Sequence, residues 1–340
     1  MLADEELRRT DAYYHLVLER IPPRAEPAFE APEMQERVWG RVWGVHNDVG
    51  PLRVCVVHRP GDEMCVIDST KYDPTIAALI DDEEQWYWRD QRGPDLERMQ
   101  QQHDALVTAL RAEGVEVLSV EGPPGDPKAV FTRDQAIAIK GGAIICRMGP
   151  VGTRPGYGRR GEEAYVTRLL AGLGMPILRT IHGTGLLEGG SFCFLNETTA
   201  AVGMSYRQNE AGVRQLEQVL AEQGVRLIRV PLTGYSLHLD GCIVMVDYDK
   251  AIVNVTRLPY WFLDTLAKLG IRPIHVWPTE QKAVNCLAVR PGRVLIAAGC
   301  PRTVERLNQD GIETIEIPYD EIHKNGGGIH CSTLPLVRDP

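Results

Sequence analysis

The chain has 340 residues, 44% hydrophobic and 24% charged, an ordinary globular balance with enough apolar residues for a sizeable core. Its formal net charge of −9 argues against non-specific binding to nucleic acid or to an anionic membrane. No apolar run approaches the roughly 18 residues of a membrane helix, so no membrane span is expected. The opening stretch MLADEELRRTDAYY has no apolar signal core, and the eight cysteines are scattered without a CxxC pair. A reduced, cytoplasmic protein with most thiols buried is the expectation.

Residues 1–45 include the proline-rich IPPRAEPAFEAPE and read as an extended arm over the surface, not as a separate domain. Residues 46–340 read as one domain. RVCVVHRP (53–60) is a strand with no hairpin partner beside it, and DDEEQWYWRD (81–90) reads as a surface loop or lid with aromatic anchors.

A repeat follows. Five times a helix-like segment ends at Gly and a short β-rich run begins: RAEGVEVLSV, AGLGMPILRT, AEQGVRLIRV, AKLGIRPIHV and NQDGIETIEI. The glycines are Gly114, Gly174, Gly224, Gly270 and Gly311. Before them, Leu96, Met99, His103, Leu106 and Leu110, and likewise Val213, Leu216 and Leu220, recur at helical steps. Each of the first four runs leads to an apolar hairpin: QAIAIKGGAIICRMG (turn at Lys140-Gly141-Gly142), CFLNETTAAVGMS, CIVMVDYDKAIVNVT and CLAVRPGRVLIAAG. The fifth has only STLPLVR after Cys331, and its missing partner is read as RVCVVHRP, which would close a ring. The predicted fold is α/β, a five-bladed pseudo-symmetric propeller of helix-strand-hairpin units.

In such a ring, the residues entering each hairpin face one central point. FTRD places Asp134 there, with Phe131 beside it. LEGG places Glu188, LHLD places His238 and Asp240, KAVN places Asn285, and GGIHC places Cys331. Ionisable residues repeated at strand starts, where apolar ones are usual, point to a functional site. Cys331 is the strong nucleophile of the set and His238 a general acid and base. The surrounding carboxylates should raise the thiol pKa, which becomes sensible if the substrate is cationic. Asp134 and Asp240 would grip a planar guanidinium, and Glu188 would orient His238 and favour its protonated form. Gly326–Gly328 would let the Cys331 loop approach the substrate. His330 should point to the opposite face of its strand and be structural. A zinc site built from the same Cys, His and carboxylates is a weaker alternative, because no close ligand pair is present.

In this order and spacing, VGPLRVCVVHRPG, VFTRD, LEGG, GMSYRQNEAG, LHLD and GGGIHCSTLPLVR resemble the guanidino-group-modifying superfamily over roughly residues 46–338. That superfamily folds as the pentein propeller. It includes arginine deiminases, dimethylarginine dimethylaminohydrolases and amidinotransferases. The resemblance implies that Cys331 attacks the guanidinium carbon and His238 protonates the leaving amine, giving a covalent thiouronium-type intermediate. It further implies that Asp134 and Asp240 bind the guanidinium, that Glu188 pairs with His238, and that Arg207 matches an arginine binding the substrate α-carboxylate. An exposed surface arginine is the alternative reading of Arg207. The HxD pair is closer to arginine deiminases and amidinotransferases than to animal-type dimethylarginine hydrolases. Many of the hydrolases carry Asp after EGG, where this chain has Ser191.

The expected activity is hydrolysis of a free arginine-like guanidine to citrulline or a related ureido product, with no cofactor and no metal. The alternative is transfer of the amidino group to an amine. A non-catalytic binding protein on the same propeller would not need the Cys–His–carboxylate set. The expected partner is a small cationic guanidine, and a homodimer is the ordinary prior for such an enzyme.

Overall fold

A computed structural model of the protein describes residues 5–149, 159–234 and 236–340. Within the arm, helices α1 (Asp11–Leu18) and α2 (Pro32–Trp39) flank the proline-rich stretch, so the arm is not extended throughout. Pro32 lies at the first turn of α2, where its missing N–H costs nothing, and Gly40 ends the helix in the left-handed conformation. Beyond it Trp43 and Val45 are buried, and the Gly44 N–H donates to Leu336 O.

Strand β1 (Leu52–Val57) comes next, then a small antiparallel sheet of β2 (Tyr72–Asp73), β3 (Ala78–Asp81) and β4 (Trp86–Trp88). Helix α3 (Leu96–Ala112) and strand β5 (Glu116–Ser119) follow. Four hairpin-helix-strand units complete most of the chain. They are β6 (Ala136–Ile139), β7 (Gly142–Ile145), α4 (Glu162–Gly172), β8 (Ile177–Thr180); then β9 (Phe192–Asn196), β10 (Thr199–Met204), α5 (Glu210–Glu222), β11 (Arg226–Pro231). The next two are β12 (Ile243–Asp247), β13 (Lys250–Val253), α6 (Tyr260–Lys268), β14 (Arg272–His275); then β15 (Leu287–Arg290), β16 (Arg293–Ala297), α7 (Pro301–Gln309), β17 (Glu313–Ile317). The short α8 (Asp320–His323) and β18 (Leu334–Arg338) end the chain.

Each unit forms one three-stranded sheet. The hairpin strands pair antiparallel, and the strand after the helix returns parallel to the hairpin's second strand. Each β run after a glycine thus joins the hairpin before it. The fifth sheet runs β18-β1-β5. Here the first and last strands do pair, with Leu52 opposite Arg338 and Val56 opposite Leu334. The result is the five-bladed α/β propeller, closed by β1 and β18, which lie side by side.

Local sequence explains the blades. Gly114, Gly174, Gly224, Gly270 and Gly311 all have φ between +73° and +81°. A Cβ at any of them would meet nothing within 4 Å, so conformation, not crowding, demands glycine. The helices bury the faces their periodicity indicates: Met99, His103, Leu106 and Leu110 from α3, and Val213, Leu216 and Leu220 from α5. Each such leucine contributes about 1.5–3 kcal/mol relative to exposure. Seven of the eight free cysteines are buried, and Cys65 is exposed. Among the described residues no helix is long and apolar enough to cross a membrane.

Candidate active site

Short 3-10 turns lead into the first strand of four hairpins, and these turns set the site. Thr132–Asp134 precedes β6, Gly189–Ser191 precedes β9, Leu239–Gly241 precedes β12, and Gln281–Val284 precedes β15. Phe131, Glu188 and His238 stand immediately before their turns and Asn285 immediately after its own. Cys331 lies in the tight turn before β18. The turns are tied together across the axis. Arg133 N–H donates to Cys331 O at 3.0 Å, and Gly190 N–H donates to Asp134 Oδ1 at 3.0 Å.

Around the thiol, Asn285 Nδ2 lies 3.1 Å from Sγ and Asn285 Oδ1 accepts the Cys331 backbone N–H at 3.1 Å. The thiol donates to Asp240 Oδ2 at 3.3 Å. Burial, then Asp240 and Asp134, pushes the Cys331 pKa well above the ordinary thiol range. The unliganded group is therefore a neutral thiol. His330 does not point away as expected: its Nδ1 lies 2.9 Å from the same Asp240 oxygen. Residues 329–332 form a turn, not a strand, so alternation of side chains does not apply. Burial and Arg133 lower the His330 pKa, so a neutral Nδ1–H donates to Asp240. Burial disfavours the Asp240 charge, but His330, His238 and the Cys331 thiol together outweigh it and hold the Asp240 pKa below its ordinary value.

His238 Nε2 is 2.5 Å from Glu188 Oε2, and Nδ1 is 3.5 Å from Asp134 Oδ1. Burial opposes a charged ring, but Asp134 and the Glu188 bond prevail and hold the His238 pKa up at about 9. Burial likewise opposes the Glu188 charge, and His238 and Arg207 overcome it, leaving its pKa at about 2. The second Glu188 oxygen accepts from Gly149 N–H at 2.8 Å and from Arg207 Nη1 at 3.0 Å. Arg207 is therefore buried and paired, not a free surface arginine.

Arg159 escaped the sequence reading. Its guanidinium is buried against Asp134 and Glu162, and it donates to Phe131 O at 2.8 Å. Burial opposes the Arg159 charge, but Glu162 and Asp134 raise its pKa well above the usual value, so it is a fixed cation. Its signal was the run RRGEE at the start of α4, where Arg159 and Glu162 stand three residues apart. Asp134, Glu188 and His238 bring donor atoms within 4.8 Å of one another, compact enough for a metal ion. Arg159, Arg207 and the protonated His238 already neutralise that trio, so the donor set does not favour one.

Residues 81–90 are not a loop throughout: they run from the end of β3 through a turn at 82–85 into β4 of the inserted sheet, with Trp86 and Trp88 buried as anchors. Arg89 N–H donates to Lys324 O at 2.9 Å, and Lys324 Nζ pairs with Asp90 at 2.7 Å. Lys128 Nζ joins Tyr87 O at 2.9 Å to Asn325 Oδ1 at 2.6 Å. This fixed wall packs on the glycine run. A Cβ on Gly326 would strike the Tyr87 hydroxyl, one on Gly327 the Phe131 ring, and one on Gly328 would come within 2.6 Å of Asn285 Oδ1. Ser191 is fully buried, and its hydroxyl has no partner among the described residues.

Two cavities meet at Cys331 and His238. An inner one of about 80 Å³ is lined by Lys128, Phe131, Asp134, Arg159 and Arg207, and an outer one of about 460 Å³ by Arg89, Asp240, Arg257, Lys282 and Asn285.

Residues 75–338 match the family model described as N,N dimethylarginine dimethylhydrolase, eukaryotic, although the HxD pair leaned towards other branches. The chain is 30% identical over 239 residues to the N(G),N(G)-dimethylarginine dimethylaminohydrolase of Streptomyces coelicolor, covering 69% of this chain and 85% of that protein. It is 27% identical over 335 residues to a 2-nitroimidazole nitrohydrolase of Mycobacterium sp., covering 90% and 84%. The fold matches the solved dimethylarginine dimethylaminohydrolase of Pseudomonas aeruginosa complexed with citrulline (TM-score 0.67, 22% identity, 84% of this chain, 100% of that one). It also matches the inosamine-phosphate amidinotransferase of Streptomyces griseus (TM-score 0.67, 17% identity, 87% and 97%).

Proposed function

The chain belongs to the dimethylarginine dimethylaminohydrolase family of guanidino-group-modifying penteins, and from that membership we propose that it is a cysteine-dependent hydrolase of a free arginine-like guanidine. The observation that carries this reading is the convergence of Cys331, from the blade of β18, with His238 and Asp240, from the turn before β12, on one cavity.

The chemistry follows from the charges. A guanidinium entering beside Asp240 donates N–H bonds to it and brings the positive charge that favours a thiolate. The thiol proton leaves to solvent as substrate binds. The sulfur attacks the central carbon and a C–S bond forms. His238, protonated at neutral pH, gives its proton to the departing nitrogen as the C–N bond breaks. Neutral His238 then takes a proton from water, whose oxygen attacks the same carbon. The C–S bond breaks, the ureido product forms, and the second water proton leaves with the amine as ammonium. Asn285 Nδ2 supports the sulfur as charge collects on it. Asp134, held by Arg159 and Gly190, and Phe131 form the far wall of the reacting group, and Arg207 acts chiefly through Glu188.

A second reading is favoured by the pairing of Asp134 and Glu188 with internal arginines. Because those carboxylates are neutralised, the site would also accept a less cationic amidine carbon with an anionic leaving group, as the name of the nitrohydrolase relative suggests.

Mass spectrometry of products tests both, using arginine, methylated arginines, agmatine and 2-nitroimidazole, each with and without an amine acceptor. A ureido product in water alone, absent with Cys331→Ser, is expected. Nitrite release from 2-nitroimidazole alone would move the protein to the second reading. A guanidinylated amine formed only with acceptor would make it a transferase. Full activity in Cys331→Ser would overturn the nucleophile.

A further inference from the structure

Gly326, Gly327 and Gly328 stand between Asn325 and the turn that carries Cys331. Consecutive glycines give the backbone its greatest freedom, yet Cys331 is aimed to within hydrogen-bond distance of Asn285 and Asp240. Something must hold the run. Tyr87 and Phe131 close on Gly326 and Gly327, where a Cβ would strike them.

The start of the run is tied to the inserted sheet. Lys128 Nζ donates to Asn325 O at 2.7 Å, to Asn325 Oδ1 at 2.6 Å and to Tyr87 O at 2.9 Å. It also lies 3.7 Å from the centre of the Tyr87 ring. An ammonium has three N–H donors, and three oxygens stand around this one. Burial pulls the Lys128 pKa down, and the oxygens and the ring face oppose that pull. Asn325 is fixed from its other side as well, its Nδ2 donating to Pro127 O at 2.5 Å. Farther out, Lys324 accepts from Arg89 N–H through its carbonyl and pairs with Asp90 through its ammonium. Trp86 and Trp88 seat the sheet in the same core cluster as Ile322 and Ile329, which flank the run.

We propose that the inserted sheet is a brace for the nucleophile's loop, and that Lys128 is a positioning residue that clips Tyr87 to Asn325 and so presets the glycine run to aim Cys331. The brace concerns the thiol and goes beyond the hydrolase reading; only the turnover readout below rests on that reading.

Iodoacetamide reads the loop without a substrate. The Cys331 thiolate displaces iodide, a C–S bond forms, and peptide mass mapping gives the rate at each cysteine separately. Lys128→Met keeps most of the side-chain length and removes its donors. In that variant labelling of Cys331 should rise about tenfold while kcat falls about tenfold, because reagent enters a loosened loop more easily and the sulfur is aimed less well. Buried Cys55, Cys146, Cys193 and Cys286 should stay as protected as in wild type. Lys324→Met breaks the pair with Asp90 nearer the surface, should move both rates in the same directions by about threefold, and decides the matter if Lys128→Met does not fold. Cys331 labelling equal in a folded variant and in wild type would overturn the brace, as would failure of the reagent to reach Cys331 in either. Faster labelling of all the buried cysteines together would overturn it too, since Lys128 would then support the whole fold and not the loop. Faster labelling of Cys331 alone, in a protein that turns over no guanidine, would keep the brace and reject the hydrolase reading.

Discussion

Asn285 holds Cys331 from two sides: its Nδ2 lies 3.1 Å from the sulfur and its Oδ1 accepts the Cys331 backbone N–H at 3.1 Å. In the proposed mechanism one amide would thus position the nucleophile and stabilise its charged form. Asn285→Ala should lower kcat about 100–1,000-fold, in line with loss of one preorganised donor. The alkylation rate of Cys331 should also reach its plateau at higher pH than in wild type. Unchanged alkylation and turnover would remove Asn285 from the site.

The rate kcat/KM needs an ionised Cys331, whose thiol pKa is elevated, and a protonated His238, whose pKa is about 9. Because the thiol pKa is the higher of the two, kcat/KM should rise with pH up to about 9 and then level, as the gain in thiolate is offset by loss of the imidazolium. A rate that kept rising steeply from about pH 9 to 10 would mean that His238 is not the acid.

The same histidine links pH to stability. Its pKa is raised by folding, so its contribution is complete below the ordinary value of 6.5 and is lost as pH rises through about 9. Glu188 has the opposite sign: its contribution is present above 4.5 and is lost as pH falls through about 2. Thermal melts of wild type should therefore decline between pH 6.5 and 9, and those of His238→Gln should decline less.

Glu188→Gln removes one charge from two partners. Buried Arg207 loses its carboxylate, which should cost about 3–5 kcal/mol by chemical denaturation. The His238 pKa should fall, so the bend at which kcat/KM stops rising moves to lower pH. A variant as stable as wild type, with an unmoved bend, would refute the pairing.

Gly328→Ala should injure the site more than the fold. The new methyl would come within 2.6 Å of Asn285 Oδ1, so the side chain that aims Cys331 must shift. A fall in kcat of about tenfold or more is expected, with a melting temperature lowered by only a few degrees. Wild-type kinetics would show that the glycine run tolerates a Cβ.

Much of this was readable along the chain because the signals are local. Glycines after amphipathic stretches mark helix ends, and alternating apolar runs mark hairpins. Five such units make a ring whose closing pair, β1 and β18, follows from one unit lacking its partner strand. Asp134, Glu188, His238, Asp240, Asn285 and Cys331 were found because each lies in or beside the turn that leads into a blade. The inserted sheet was missed, since β2 and β4 are only two and three residues long, too short for periodicity to show. His330 was misplaced because a turn was read as a strand.

The sequence by itself determined which chemical groups reach the axis and in what order, because repeat position and backbone geometry are written in neighbouring residues. The charge those groups carry was decided only by tertiary structure. Arg159 meets Asp134 across 25 positions and Arg207 meets Glu188 across 19, while Arg257 and Lys282 in the outer cavity pair with no carboxylate among the described residues. A buried group's ionisation depends on what folding places within a few ångströms of it, and no spacing along the chain states that distance.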